Sequence, residues 1–210
     1  MKLPFTAEQF LSVFESYNRF VGPVVIVMYV LAAVAVGVLF RPGTKKDARI
    51  SSILAFYWIW MGIGYHISHF SAINKAAYVF GGLFVVQGVL FLVAAKRRWV
   101  QFEPGRNART VLGFIAITYA LVIYPLIGLL AGHGYPSGPV LGAPCPTTIF
   151  TFGLLMMVRR PYPGFLLIVP FLWSIIATNV VRLGIVEDIG LLISGIVAVV
   201  VYWQAKREWS

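Results

Sequence analysis

Seven apolar stretches constrain this chain more than any other feature, because each approaches the ~20 residues that an α-helix needs to cross a bilayer. Apolar residues make up 60% of the 210 residues and charged residues 11%, whereas soluble domains are about half apolar and a quarter charged. The sequence therefore predicts an all-α integral membrane protein, with residues 1–210 forming one transmembrane domain. The expected helices cover residues 22–40, 50–70, 76–95, 110–132, 140–158, 164–183 and 189–205.

Lysine and arginine are divided unevenly among the loops that join these helices. Of the 17 basic residues, 13 lie in the loops after the first, third and fifth helices and in the C-terminal tail. Cytoplasmic loops of membrane proteins are the ones rich in Lys and Arg. The bias predicts an N-terminus outside and a C-terminus in the cytoplasm, and it explains the net charge of +10 without nucleic-acid binding. The basic residues on the opposite side are Lys2, Arg19, Lys75 and Arg182.

Residues 1–20 are amphipathic rather than uniformly apolar. Thr6 and Gln9 have the spacing of a capping box, and Phe5 and Phe10 fit the hydrophobic staple around it. The pattern predicts a short helix that lies on the outer membrane interface. The alternative is a capped extension of the first transmembrane helix.

The fifth helix is expected to be broken. Pro144 and Pro146 bracket Cys145, and proline favours the first helical position, so the helix should begin at Pro146 with Cys145 as its cap. The 13 residues from there to Val158 give roughly 20 Å of helix, less than the ~30 Å hydrocarbon core. The preceding backbone should therefore dip into the membrane, as it does at the substrate sites of transporters.

Every histidine and the single cysteine fall on the predicted outer side, where ionisable groups at membrane depth indicate a functional site. His66 and His69 are three residues apart and share a helix face. Histidine and cysteine together suit zinc or copper. The predicted metal ligands are His66, His69, His133 and Cys145, and the other predicted ligand-binding residues are Asn74, Tyr135, Asn179, Arg182, Glu187 and Asp188.

Structural roles are the alternative for the same residues. Histidines near a membrane interface often only bond a carbonyl group or a lipid headgroup, and a lone buried cysteine often acts as a small apolar side chain. For Arg182, Glu187 and Asp188 the structural interpretation is the favoured one: they are close in sequence and are expected to form an ion pair and a helix cap, since acidic residues are favoured at helix starts.

Several stretches resemble a family of small bacterial multi-pass membrane proteins that is known only as a domain of unknown function. The resemblance rests on residues 3–10, 65–74, 132–136, 143–153 and 187–191. It implies a location in the bacterial inner membrane and implies no activity.

Three functional hypotheses follow. The leading one is a polar pocket that binds a metal ion or small solute on the outer side, for transport or sensing. The second is a metal-dependent hydrolase that acts at the outer leaflet, and the third is an accessory subunit of a larger membrane complex or a homo-oligomer. No ATP-binding loop, haem-attachment motif or dinucleotide fingerprint occurs, so any transport is expected to be passive, coupled to an ion or driven by a partner. The sequence leaves open whether the protein is an enzyme.

Overall fold

The computed structural model describes residues 4–43 and 45–209, and their secondary structure is helical apart from isolated β-bridges in loops. Lys2, which was assigned to the outer side, lies outside the described residues. The α-helices are α1 (Ala7–Val21), α2 (Val24–Leu39), α3 (Lys45–Trp60), α4 (Ala77–Arg97), α5 (Ala108–Thr118), α6 (Tyr124–Leu130), α7 (Pro144–Met156), α8 (Ile168–Ala177) and α9 (Asp188–Glu208). The π-helical segments are Met61–Ile67 and Tyr119–Ile123, and the 3-10 segments are Phe70–Ala72, Gly164–Leu167 and Thr178–Leu183.

Within the part of the chain that the structure describes, five helical segments are long and apolar enough to cross a membrane, which confirms an all-helical protein of membrane-protein character. Together α1 and α2 could form a sixth, broken span, and α7 is shorter than the other apolar segments. Seven spans, the N-out orientation and the bacterial inner membrane therefore stay predictions. The five segments are Lys45–Ala72, Ala77–Arg97, Ala108–Leu130, Gly164–Leu183 and Asp188–Glu208.

Helix α1 begins with the predicted capping box, in which Thr6 and Gln9 bond each other's backbone. The rings of the staple residues Phe5 and Phe10 stack at 5.3 Å. An 85° bend separates α1 from α2, at Gly22, whose φ of +49° is rare for residues with a side chain. The bend rules out a straight continuation of α2, whereas the position of α1 on the outer membrane interface stays a prediction.

The apolar face of α1 packs on protein. Phe10 and Phe14 are buried, and their rings contact Phe70 and Tyr65 at 5.8 and 5.1 Å. Since these partners follow α3, α1 covers one end of the helical bundle.

Helix α7 occupies the centre of the protein, and all of its residues are buried. It contacts α5, α8 and α9. Gly113 of α5 and Gly153 of α7 let the backbones of these two helices approach closely, since a Cβ on Gly113 would lie 2.6 Å from the Gly153 carbonyl oxygen. The helix is as short as predicted but begins two residues earlier. Ala143 is its cap and Pro144 takes the first position, so the prediction that Cys145 caps it is wrong.

Two π-helical segments interrupt long helices. In the second, Tyr124 N–H bonds the Tyr119 carbonyl, five residues back. Pro125 follows and has no N–H to continue the α-helical pattern. Insertions of this kind are frequent at functional sites, and neither segment is predicted by hydrophobic periodicity.

The loops form two groups at opposite ends of the bundle. At one end, which we call the basic end, Asp47 Oδ1 accepts a hydrogen bond from Phe102 N–H at 2.9 Å. At the other, which we call the histidine end, the Asn18 amide donates to the Pro136 and Gly138 carbonyls at 2.7 and 2.8 Å. The basic end comprises residues 40–43, 45–49, 96–109, 157–163 and 205–209, and the histidine end comprises α1 and residues 66–76, 131–145 and 178–188.

Candidate functional site

Two adjacent carboxylates at the start of α9, Glu187 and Asp188, are completely buried. Glu187 Oε1 lies 2.9 Å from His133 Nε2, whereas its Oε2 has no hydrogen-bond partner among the described residues. Gly128 leaves room for this pair, because a Cβ there would lie 3.1 Å from Glu187 Oε1. Glu187 is thus held between α6 and α9 with one oxygen unpaired.

Asp188 receives hydrogen bonds from two other helices. The Tyr124 hydroxyl of α6 donates to its Oδ1 at 2.5 Å, and the Cys145 thiol of α7 donates to its Oδ2 at 3.3 Å. We call His133, Glu187, Asp188, Tyr124 and Cys145 the carboxylate cluster.

No lysine or arginine of the described chain forms an ion pair with either carboxylate of this cluster. Among the described residues His133 is the one basic partner in contact, and the start of α9 offers a further favourable field for acidic groups. Removing a carboxylate from water costs several kcal/mol unless hydrogen bonds replace the lost hydration. Burying both carboxylates where α6, α7 and α9 meet therefore costs free energy of folding. Such a cost favours a functional role for the cluster.

An apolar cavity of about 90 Å³ lies beside the cluster and reaches the Cys145 side chain. Helix α1 provides one wall, and α7 and α8 provide others. Aromatic rings dominate the lining, and few polar side chains reach it. The lining residues are Phe5, Phe10, Phe14, Tyr65, Phe70, Asn74, Phe80, Pro144, Cys145, Trp173, Ile176, Ala177 and Val180.

His66 lies one layer behind this wall, completely buried, and neither of its ring nitrogens has a hydrogen-bond partner among the described residues. Its ring centroid is 4.5 Å from Phe84 and 4.9 Å from Trp173. The rings of Tyr65, Phe70 and Phe80 complete an aromatic cage within 6.0 Å. Four of these five rings also line the cavity.

The four predicted metal ligands do not come together. His69 Nδ1 lies 2.6 Å from the Gly64 carbonyl oxygen, while His66 lies in its cage, His133 pairs with Glu187 and Cys145 bonds Asp188. Within residues 4–43 and 45–209, no group of three or more His, Cys, Asp or Glu is arranged to hold a metal ion. Zinc or copper binding stays a prediction without support from the geometry.

The other predicted ligand-binding residues separate into two sets. Glu187 and Asp188 belong to the carboxylate cluster. Asn74 lines the cavity, and its Oδ1 accepts a hydrogen bond from Ala76 N–H at 3.1 Å.

The remaining three lie at the surface. The Tyr135 ring is exposed and its hydroxyl reaches the Asn18 carbonyl at 3.4 Å, and Asn179 bonds the Ile176 carbonyl of its own helix at 3.0 Å. Arg182 is exposed and pairs with neither acid. The predicted ion pair of Arg182 is wrong, because His133 takes the place beside Glu187.

Tyr124, Tyr65 and Trp173 belong to the site but were not predicted. Tyrosine and tryptophan inside apolar runs are ordinary packing residues, and hydropathy does not distinguish them. For Tyr124 a signal was present, namely the proline that follows it within a predicted transmembrane helix.

Comparison with known proteins gives one match. A family model described as a family of unknown function (DUF6064) matches residues 7–210. No curated protein and no solved structure matches the chain.

Proposed function

Since the chain belongs to this DUF6064 family of unknown function, we propose from its geometry that it binds a small, mainly apolar solute at the histidine end, for transport or sensing. The observation that carries the proposal is the cavity beneath α1. Its aromatic lining reaches the Cys145 thiol, which is hydrogen-bonded to the buried Asp188 carboxylate. Ligand sites are typically concave and apolar, with a few polar groups that fix orientation.

The lining favours a ligand with an apolar body and at most one polar end. Phe10 and Phe14 of α1 and Phe5 just before it contribute ring surface, and such rings gain little from a charged or strongly hydrated molecule. Cys145 and Tyr65 are polar groups at the inner wall. A small aromatic or aliphatic alcohol has this combination.

Helix α1 provides a means of coupling binding to the rest of the chain. Phe10 and Phe14 of α1, with Phe5 just before it, form part of the cavity wall, while the bend at Gly22 separates α1 from α2. A ligand that pushes these rings apart would move α1 relative to the bundle. Such movement of α1 supports a sensing role. The adjacent carboxylate cluster supports transport coupled to an ion, since buried acidic residues often bind protons in transporters.

The hydrolase alternative has less support. That hydrolase was expected to use a metal ion held by His66, His69, His133 and Cys145. His66 instead lies among aromatic rings, while His133 contacts Glu187 and Cys145 donates to Asp188. The accessory-subunit alternative stays a prediction that no contact in this chain supports or opposes.

The single cysteine allows a direct test of the cavity. We expect the small apolar reagent methyl methanethiosulfonate to modify Cys145 in protein purified in mild detergent, with intact mass as the readout. Ala177→Trp places an indole in the cavity and should slow modification on the order of tenfold or more, a barrier change of about 1.4 kcal/mol. Ile175→Trp, two residues away on an exposed face of α8, is the matched control and should label like wild type.

Two results would overturn the proposal. Either no modification of the wild type, or equal rates for the Ala177→Trp and Ile175→Trp variants, would mean that the cavity does not admit small apolar molecules. Circular dichroism of each variant verifies that the helical fold is retained.

A further inference from the structure

The net charge of the protein is confined to the basic end. Thirteen of the 17 basic residues lie there with only three of the seven acidic residues, so this end carries a charge equal to the +10 of the whole chain. Of the three acids, Glu103 and Glu208 form ion pairs with Arg159 and Arg109. The basic end as a whole therefore attracts an anionic partner.

A groove on the side of the bundle runs into this charged end. It has a volume of about 420 Å³ and lies between α9 and the segment that begins α8. Apolar and aromatic side chains line it, and a single cationic side chain lies at one end. The lining residues are Gly164, Leu167, Ile168, Phe171, Val199, Tyr202, Trp203 and Lys206.

The groove changes character along α9. From Val199 to Lys206 is seven residues, or roughly 10 Å at ~1.5 Å per residue, and over this length the lining passes from aliphatic to aromatic to cationic. Lys206 Nζ lies 5.1 Å from the Trp203 ring centroid, the arrangement of a cation–π contact. Gly164 allows Tyr202 to pack closely against the backbone that begins this side of the groove, since a Cβ there would lie 2.8 Å from the Tyr202 hydroxyl.

We propose that this groove binds an anionic phospholipid, with an acyl chain against Val199 and Phe171 and the headgroup at Lys206. The apolar part of the groove fits a hydrocarbon chain, and the aromatic part lies where membrane proteins place Trp and Tyr at the interface. The cationic part complements the phosphate of a lipid whose headgroup carries no compensating positive charge. Basic residues near anionic lipid surfaces contribute about 1 kcal/mol each. This site is separate from the cavity at the histidine end.

Native mass spectrometry tests the proposal with the full chain in mild detergent, titrated with phosphatidylglycerol or with phosphatidylcholine of the same acyl chains. We expect tighter binding of phosphatidylglycerol. Lys206→Gln should weaken it about fivefold, as one lost contact of this size implies, and leave phosphatidylcholine binding unchanged. Lys45→Gln removes the same charge from the basic end but does not line the groove, so it should have little effect.

Val199→Trp fills the apolar part of the groove and should weaken binding of both lipids. Equal affinity of the wild type for the two lipids would overturn the proposal. An effect of Lys45→Gln as large as that of Lys206→Gln would also overturn it, because surface charge without a groove would then explain the binding.

Discussion

The imidazole of His66 is a polar group held among aromatic rings without a hydrogen bond to any described residue. Leaving a buried donor or acceptor unsatisfied costs about 1–3 kcal/mol, and an aliphatic side chain of similar volume would avoid this cost. We therefore expect that His66 lowers the stability of the protein and is kept for a functional reason. Four of the five rings that surround it also line the cavity, so its environment changes if the cavity opens.

Replacing His66 with leucine should therefore leave the thermal stability of the detergent-solubilised protein equal to or above that of wild type. His66→Ala should lower the free energy of unfolding by about 2 kcal/mol or more, because it leaves a void among the rings. Thermal unfolding followed by circular dichroism compares the two variants. A large loss of stability in His66→Leu would show that the imidazole has a polar partner and would contradict the description of the cage.

The sequence places the site residues on the correct side of the bundle but does not predict their partners. His133 and Glu187 are 54 residues apart, and their pairing depends on how α6 and α9 pack. Arg182 is nearer to Glu187 in sequence and was the expected partner. Closeness in sequence suggested Arg182 as the partner of Glu187. This was wrong because the direction of a side chain within a helical bundle depends on tertiary contacts.

At the scale of the elements, the junction between the end of α3 and α4 depends on two glycines that face each other. A Cβ on Gly62 would lie 2.7 Å from the Gly81 carbonyl oxygen, and a Cβ on Gly81 would lie 2.6 Å from an Ile67 side-chain carbon. A Cβ on Gly82, the next residue, would instead point into open space, with no atom of a neighbouring element within 4 Å. Small residues in positions such as Gly62 and Gly81 let transmembrane helices pack closely.

Gly81→Ala should destabilise the protein by about 1–3 kcal/mol, the usual cost of inserting a methyl group into a packed contact. Gly82→Ala is the matched control and should be neutral or stabilising, since alanine favours the helix by up to about 1 kcal/mol over glycine. Unfolding in a graded series of mixed denaturing micelles gives both values. Equal effects of the two substitutions would mean that the contact is not tight.

The positions of the long helices could be predicted because hydrophobic length alone determines them. The sixth predicted helix has the same bounds as the segment Gly164–Leu183, and the third differs by one or two residues from α4. The π-helical segments could not be predicted, since they arise from local hydrogen-bond geometry and close helix contacts.

For the whole molecule, the separation of charge between the two ends predicts its orientation across the membrane. In a Cys145→Ser background, Ala76→Cys introduces a thiol at the histidine end and Gln101→Cys introduces one at the basic end, both at exposed positions. A membrane-impermeant maleimide applied to intact bacterial host cells should label Ala76→Cys. It should label Gln101→Cys only after the membrane is permeabilised.

The reverse labelling pattern would place the basic end outside and contradict the orientation expected from the loop charges. The number of spans needs tertiary information as well. At roughly 24 Å and 20 Å of helix, α2 (16 residues) and α7 (13 residues) are shorter than the ~30 Å core, so hydropathy alone does not decide whether each crosses the membrane.

The complete burial of α7 also has a consequence for the order of events during synthesis. A chain is made from its N-terminus, so α7 leaves the ribosome before α8 and α9, which later contact it. Until they arrive, the Cys145 thiol of α7 lacks the Asp188 carboxylate to which it donates, and the part of α7 that α8 and α9 cover lacks its protein neighbours. The centre of the fold is therefore completed only when the last helices are in place, and the unfinished chain is the state most exposed to quality-control proteases and to mispairing with other chains.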